Sequence, residues 1–252
     1  MKKIGVFDSG IGGLTVLHSL RRACPELDMV FLGDVARMPY GVQSRETVLG
    51  YSRDCAAFLR KQGVEAVIIA CNTATAASLT ELRQELDIPV YGVIEFAAEA
   101  AKRATRSCRI GVIATDGTVR SGSYTAALSG YTVLERPASP LVTMIESGIA
   151  DSDERALAAC RSVLADLPEQ NIDTLILGCT HFPVYAAPLG SLLPGVTLID
   201  TGAALAEALR TTLGGSGSGK TEYYTSLESE AFCAMVRRLD PVAGEIRVMS
   251  WN

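Results

Sequence analysis

The stretch TLILGCTHFP, Thr174 to Pro183, decides how this chain is read: a short apolar run, then Gly178 and a group of reactive side chains. An apolar run of strand length without alternation fits a strand buried on both faces of a parallel sheet. Residues beyond its carboxyl end then open into the crevice where ligands bind. EAVIIACNTA, Glu65 to Ala74, is built the same way, with Cys71 in the place of Cys179. The likeness extends outward. Ile4-Gly5-Val6 pairs with Ile110-Gly111-Val112, Cys71 with Cys179, and Ile94-Glu95 with Ile199-Asp200, at offsets of 106, 108 and 105 residues. Three landmarks in one order at nearly one offset point to two similar halves, each with a thiol at a strand end.

Around these landmarks strand and helix alternate. Strands are expected at Lys3 to Phe7, Asp28 to Leu32, before Cys71 and at Pro89 to Val93, with helices near 14–22, 44–62, 74–86 and 96–104. The second half repeats the pattern with strands at Arg109 to Ala114, Thr132 to Arg136, before Cys179 and at Val196 to Asp200. A helix is expected to run unbroken to about Leu128, and the tail adds a strand at Glu222 to Thr225 and a helix at Glu228 to Leu239. Such alternation specifies an α/β class with parallel sheets. We expect two similar domains related by a pseudo-twofold with the site in the cleft between them: residues 1–93 plus 207–252 carrying Cys71, and 94–206 carrying Cys179.

Composition narrows the function classes. Of 252 residues 48% are hydrophobic and 20% charged, which excludes a disordered chain. No apolar run approaches the ~20 residues that span a bilayer. MKKIGVFDSG leads directly into a strand and is not a signal peptide, so a cytoplasmic location is expected. A net charge of −5 offers no general attraction to nucleic acid or anionic lipid. The seven cysteines are scattered and odd in number, without a CxxC pair, arguing against a disulfide framework and a zinc site. Cys24, Cys55, Cys108, Cys160 and Cys233 read as packing residues, and His18 as structural.

Two motifs are decoys. GGSGSGKT, Gly214 to Thr221, fits the phosphate-loop pattern, but that pattern works between a strand and a helix, whereas here a helix precedes and a strand follows. It reads as a flexible linker. FDSGIGGLT loosely resembles a dinucleotide fingerprint, yet Thr15 occupies the third small position and Asp8 would repel a pyrophosphate.

A single cysteine after a strand is most often a small core residue, but two at equivalent places in facing halves would approach one ligand from opposite sides. That is the geometry of a two-base racemase, in which one thiolate removes an α-proton and the opposed thiol protonates the other face. A thiol with a free pKa of ~8.5 is mostly protonated at neutral pH and needs partners to exchange its proton. Asp8 and His181 are the candidates. Asp8 equally fits a cap for the turn that follows, and His181 a satisfied core position. Ser9, Asn72, Thr73, Thr115, Thr118 and Thr180 all follow strands and begin turns or helices, where donors converge.

IGVFDSGIGGLTV, GDVARMPYG, ACNTATA, IGVIATDGTVRSGSY, MIESG and LGCTHFP, in this order, resemble the cofactor-independent aspartate/glutamate racemases over essentially the whole chain. The resemblance implies two α/β domains enclosing the substrate, the first completed by the C-terminal tail, and interconversion of L- and D-glutamate that supplies peptidoglycan synthesis. It assigns Cys71 and Cys179 as the acid/base pair, with Asp8, His181 and Glu146 as assistants and Asp34 as a further candidate. Glu146 alone would read as an ordinary exposed helix residue. Ser9, Pro39, Tyr40, Gly41, Asn72, Thr73, Thr115, Thr118 and Thr180 are placed around the substrate. No cofactor and no metal is implied, and no lysine stands in either strand-end cluster for pyridoxal phosphate. Glutamate is the expected small-molecule partner, with neither nucleic acid nor membrane, and the reading allows a homodimer. The chain starts at its first strand, so activation by a cell-wall precursor through an N-terminal extension is not expected. Aspartate racemisation and a non-catalytic binding role on the same scaffold are the alternatives.

Overall fold

The computed structural model describes residues 1–214 and 216–251. Gly215, within the expected linker, and Asn252, at the end of the expected first-domain tail, lie outside the described residues. The strands are β1 (Lys3–Asp8), β2 (Asp28–Gly33), β3 (Val67–Ile69), β4 (Val90–Gly92), β5 (Arg109–Ala114), β6 (Thr132–Pro137), β7 (Thr174–Gly178), β8 (Thr197–Asp200), β9 (Thr221–Thr225) and β10 (Ile246–Val248). The helices are α1 (Gly13–Ala23), α2 (Arg45–Lys61), α3 (Asn72–Glu85), α4 (Val93–Ala104), α5 (Asp116–Ser121) and α6 (Ser123–Ala127). They continue with α7 (Ser139–Glu146), α8 (Glu154–Leu164), α9 (Ala186–Leu192), α10 (Thr201–Leu213) and α11 (Glu230–Leu239).

The strands form two sheets, ordered β10-β9-β2-β1-β3-β4 and β6-β5-β7-β8, with every pairing parallel. The four strands β2-β1-β3-β4 therefore recur as β6-β5-β7-β8. Register repeats as well as order: Gly5 lies opposite Val67, four residues before Cys71, and Gly111 opposite Leu175, four residues before Cys179. The third expected landmark is corrected. Gly92 is paired with Ile69 and Asp200 with Leu177, so these two are the equivalents, whereas Ile94-Glu95 already lies within α4. Asp200 caps α10 by accepting from the amides of Gly202 and Ala203, while Gly92 brings no side chain to its helix. The turn into α4 thus carried no capping signal in the sequence.

Period-two alternation assigns the strand faces. Ile4, Val6, Met29, Phe31 and Ile68 pack on one side of the first sheet, and Phe7, Val30, Leu32, Val67 and Ile69 on the other. In the second sheet Ile110, Val112 and Ile176 oppose Ile113, Leu175 and Leu177 in the same way. Both faces are covered by helices, as an all-parallel sheet requires. The tail returns to the first sheet, β9 pairing with β2 and the unforeseen β10 with β9. The helix expected to run unbroken to Leu128 is instead divided at Gly122, whose φ of 64° is left-handed and ends α5.

Candidate active site

Both cysteines emerge from their strands beside one cavity of about 30 Å³. Its lining includes Ser9, Pro39, Tyr40, Gly41, Cys71, Asn72, Thr73, Thr115, Glu146, Cys179, Thr180 and His181. Asp8 and Thr118 lie just behind this wall. Thr180 Oγ1 donates to Asp8 Oδ1 at 3.5 Å, and the hydroxyls of Thr118 and Thr73 are 3.2 Å apart. The volume suits ordered water and is too small for an amino acid, so entry of a ligand requires the walls to part.

Cys71 is the N-cap of α3, and its sulfur accepts from the Ala74 amide at 3.5 Å and donates to Ser9 Oγ at 3.6 Å. A helix N-terminus favours a thiolate. Burial, followed by the nearby Asp8 carboxyl, outweighs that pull and pushes the thiol up to about 12. Asp8 is itself fully buried; desolvation raises its pKa against the opposing influence of His181 and the amides of Gly10 and Gly13. A buried acid raised in this way is suited to proton exchange nearer neutral pH.

The surroundings of Cys179 are different. His181 Nδ1 stands 3.6 Å from Cys179 Sγ, and Nε2 stands 3.1 Å from Glu146 Oε1. That second contact has ion-pair length but is out of line for a hydrogen bond, leaving buried Nε2 without an aligned partner. Burial by itself would lower the His181 pKa; the Cys179 sulfur and the Glu146 carboxylate overcome it and hold the imidazole at about 10. Cys71 and Cys179 are both free thiols.

Hydroxyl and amide donors complete the wall. The Thr73, Thr115 and Thr118 hydroxyls form a triangle of 2.8, 3.2 and 3.0 Å that joins α3 of the first half to α5 of the second. Such a ring can satisfy itself and can re-aim towards a carboxylate. Asn72 Oδ1 accepts from Tyr124 Oη at 2.7 Å, while its buried Nδ2 has no partner in the protein. An unmet buried donor costs about 1–3 kcal/mol, so this amide is suited to a ligand acceptor.

Asp34 falls outside this group. Its carboxylate accepts from Arg37 and Tyr40 at 2.5 Å each, Ser226 at 2.7 Å and Trp251 at 2.8 Å, tying the MPYG segment to the tail. Tyr40 consequently spends its hydroxyl on Asp34 and offers the cavity its other atoms. Met38, Val142 and Tyr124 escaped sequence reasoning. Val142 stands one helical turn before Glu146 on α7, a spacing that could have flagged it; Tyr124 gave no signal, because its partner Asn72 is distant in sequence.

The glycines of FDSGIGG have their explanation here. A Cβ at Gly12 would come 2.3 Å from Thr180 Oγ1 and 2.6 Å from His181 Nδ1, so the first half can meet the second only through a bare backbone. Among the described residues no group of three or more His, Cys, Asp or Glu is placed to hold a metal ion, and no helix is long and apolar enough to cross a membrane.

Two parallel α/β units that present a thiol each to one shared, polar cavity define the architecture of a racemase of this cysteine-pair type. The profile of the Asp/Glu/Hydantoin racemase family matches residues 4–209, and the chain belongs to that family. It is 43% identical over 230 residues to a glutamate racemase of Aquifex aeolicus, covering 90% of each chain. Crystal structures tell the same story. Glutamate racemase from Thermus thermophilus in complex with β-chloro-D-alanine superposes with a TM-score of 0.89 at 38% identity, covering 99% of this chain and 97% of that one. The Francisella tularensis glutamate racemase in complex with D-glutamate superposes with a TM-score of 0.89 at 30% identity, again covering 99% and 97%.

Proposed function

We propose that this protein interconverts L- and D-glutamate by a two-base proton transfer between Cys71 and Cys179. The observation that carries the proposal is the shared register: two free thiols, each four residues beyond a matched strand pair, reach one cavity from different halves. One sulfur takes the α-proton as the C–H bond breaks and an S–H bond forms. The opposed S–H then breaks as its proton joins the other face of the planar carbanion. Each turnover leaves the protonation of the pair inverted, and Asp8 beside Cys71 and His181 beside Cys179 are the groups through which it resets. Glu146 positions His181. Asn72 Nδ2, the threonine triangle, Ser9, Thr180 and the Pro39-Tyr40-Gly41 turn hold the substrate's carboxylates and ammonium.

The division at 93/94 and 206/207 goes with this reading. Val93 packs in the first core and Ile94 in the second, whereas α10 joins the first core already at Leu205 and Ala206, just ahead of the second boundary, and continues there with Leu209 and Leu213. A cytoplasmic role in supplying D-glutamate for peptidoglycan accords with it too, since all seven cysteines are free. The test is to incubate the pure protein with L-glutamate, then with L-aspartate at the same concentration, and follow circular dichroism. Loss of the glutamate signal well ahead of aspartate is expected. An unchanged glutamate signal would remove the proposal.

A further inference from the structure

A second chamber adjoins the thiol cavity. It has a volume of about 520 Å³, and Thr73 lines both spaces. The partition between them is the Gly41-Val42 turn, with Gly41 facing the thiols, and Val42 lining the outer chamber and 66% exposed. Two cations, Arg45 and Arg120, line this chamber together with the hydroxyl residues Ser44 and Ser121, and among the described residues no acidic side chain is in its walls. Arg120 reaches the carbonyl of Gly41 with a long 3.4 Å bond, and among the described residues no carboxylate forms an ion pair with it. Arg45 is paired with Glu81 at the rim, next to exposed Glu46.

We infer that this chamber is an anteroom that gathers the anionic substrate and that Arg120 latches the turn separating it from the thiols. The inference rests on the racemase reading. Charge supplies the first reason: a protein of net charge −5 offers a dicarboxylate amino acid no general attraction, and the guanidinium groups of Arg120 and Arg45 at the mouth supply a local one. Space supplies the second, because the inner cavity of about 30 Å³ admits no amino acid until a wall moves. The latch supplies the third. A guanidinium has five N–H donors, and Arg120 spends one on a carbonyl at a length where the bond is weak. A carboxylate is the stronger acceptor, so its arrival draws Arg120 from Gly41 and frees the turn.

Steady-state kinetics of Arg120→Gln, Arg45→Gln and the double variant, at low and high salt, test this. Because the field of the two cations acts alike on bound substrate and transition state, KM should rise about threefold to tenfold per charge with kcat within about twofold. The salt dependence of kcat/KM should shrink in step. Glu81→Gln, which frees Arg45, should lower KM. Arg120→Lys should restore the KM of wild type in part, since it returns the charge without the fork. Unchanged KM in the double variant, or kcat falling in proportion to kcat/KM, would overturn the inference. Should the wild type turn over neither glutamate nor aspartate, the functional proposal fails separately, and the chamber is then judged by calorimetric titration with glutarate. Binding weakened in the double variant would support the anteroom; equal binding, or none to wild type, would sink it.

Discussion

The two halves carry the same strands in the same register and differ in what stands beside the sulfur. On the Cys71 side the neighbouring strand β1 ends in Asp8, and the second residue after the thiol is Thr73. On the Cys179 side the equivalent strand β5 ends in Ala114, and the second residue after the thiol is His181. One half therefore brings its proposed proton partner from the adjacent strand, the other from the residues following the thiol. The consequence is unequal electrostatics: a thiol pushed up to about 12 on one side, and on the other an imidazole held at about 10 by sulfur and carboxylate. The shared register places the thiols alike, and the residues around them differ from one half to the other.

Removing either sulfur should produce the largest effect. Cys71→Ala and Cys179→Ala should each reduce racemisation to below about 10⁻³ of wild type, since a single remaining thiol serves one face of the α-carbon. In deuterated water, early D-glutamate formed from L-glutamate should be labelled while recovered substrate stays nearly unlabelled. Product returning with its original protium would mean one base works both faces, and the comparison of halves would lose its chemical meaning.

Next in size are the partners themselves. Asp8→Asn and His181→Asn should cut turnover by ~10²–10⁴-fold with the fold retained by circular dichroism. Because each assists a different thiol, the two variants should lower kcat unequally for L- and D-glutamate and in opposite senses, with kcat/KM kept equal in the two directions by the equilibrium constant of one. Equal losses in both directions would make the two residues structural.

How much of this was legible follows from what reports locally. Buried parallel strands announce themselves as apolar runs, and a thiol after each marks a strand mouth, so both sheets and both cysteines could be read in one dimension. The Asn72–Tyr124 bond, the bonds from Thr73 to Thr115 and Thr118, and the Arg120–Gly41 contact join residues 79 to 42 positions apart, and no local pattern encodes such meetings. Gly12 is intermediate: its small size was visible, and its reason, the approach of Thr180 and His181, belongs to the other half. The bonds that tie Asp34 away from the cavity come from Ser226 and Trp251 of the distant tail, which the sequence around Asp34 does not announce.

Glu146 sharpens the asymmetry at smaller cost. Glu146→Gln should lower turnover by about tenfold and bring the His181 pKa down from about 10, read directly by NMR because the protein has only two histidines. The sign for stability follows from a folded value above the ordinary 6.5. The stabilisation held by protonated His181 is complete below about pH 6.5 and is lost as pH climbs through about 10. The drop in Tm caused by Glu146→Gln should thus be greatest near pH 6 and fade above pH 10. A drop independent of pH would mean that Glu146 supports the fold without acting on His181.

The smallest effect belongs to the tail, the part of the first half without a counterpart in the second. Asp28 opens β2 opposite Lys3, and the equivalent position on β6, opposite Arg109, is Thr132. The substitution has a physical sense: Asp28 Oδ1 accepts from the amides of Ser218 and Lys220 at 2.8 and 3.0 Å and from the Ser218 hydroxyl at 3.0 Å. These bonds, the Lys220 amide first, hold the Asp28 carboxyl below its usual range. Amides that in a phosphate loop would face a nucleotide are here filled by the chain's own carboxylate, and α10 precedes the loop while β9 follows it. Lys220→Ala should then leave racemisation within about twofold of wild type, and titration with ATP should show no saturable binding. Asp28→Asn should lower Tm by loosening the tail against β2 while turnover persists. ATP binding that disappears in Lys220→Ala would show the loop to be a nucleotide site after all, and the tail would be more than the strand extension that completes the first sheet.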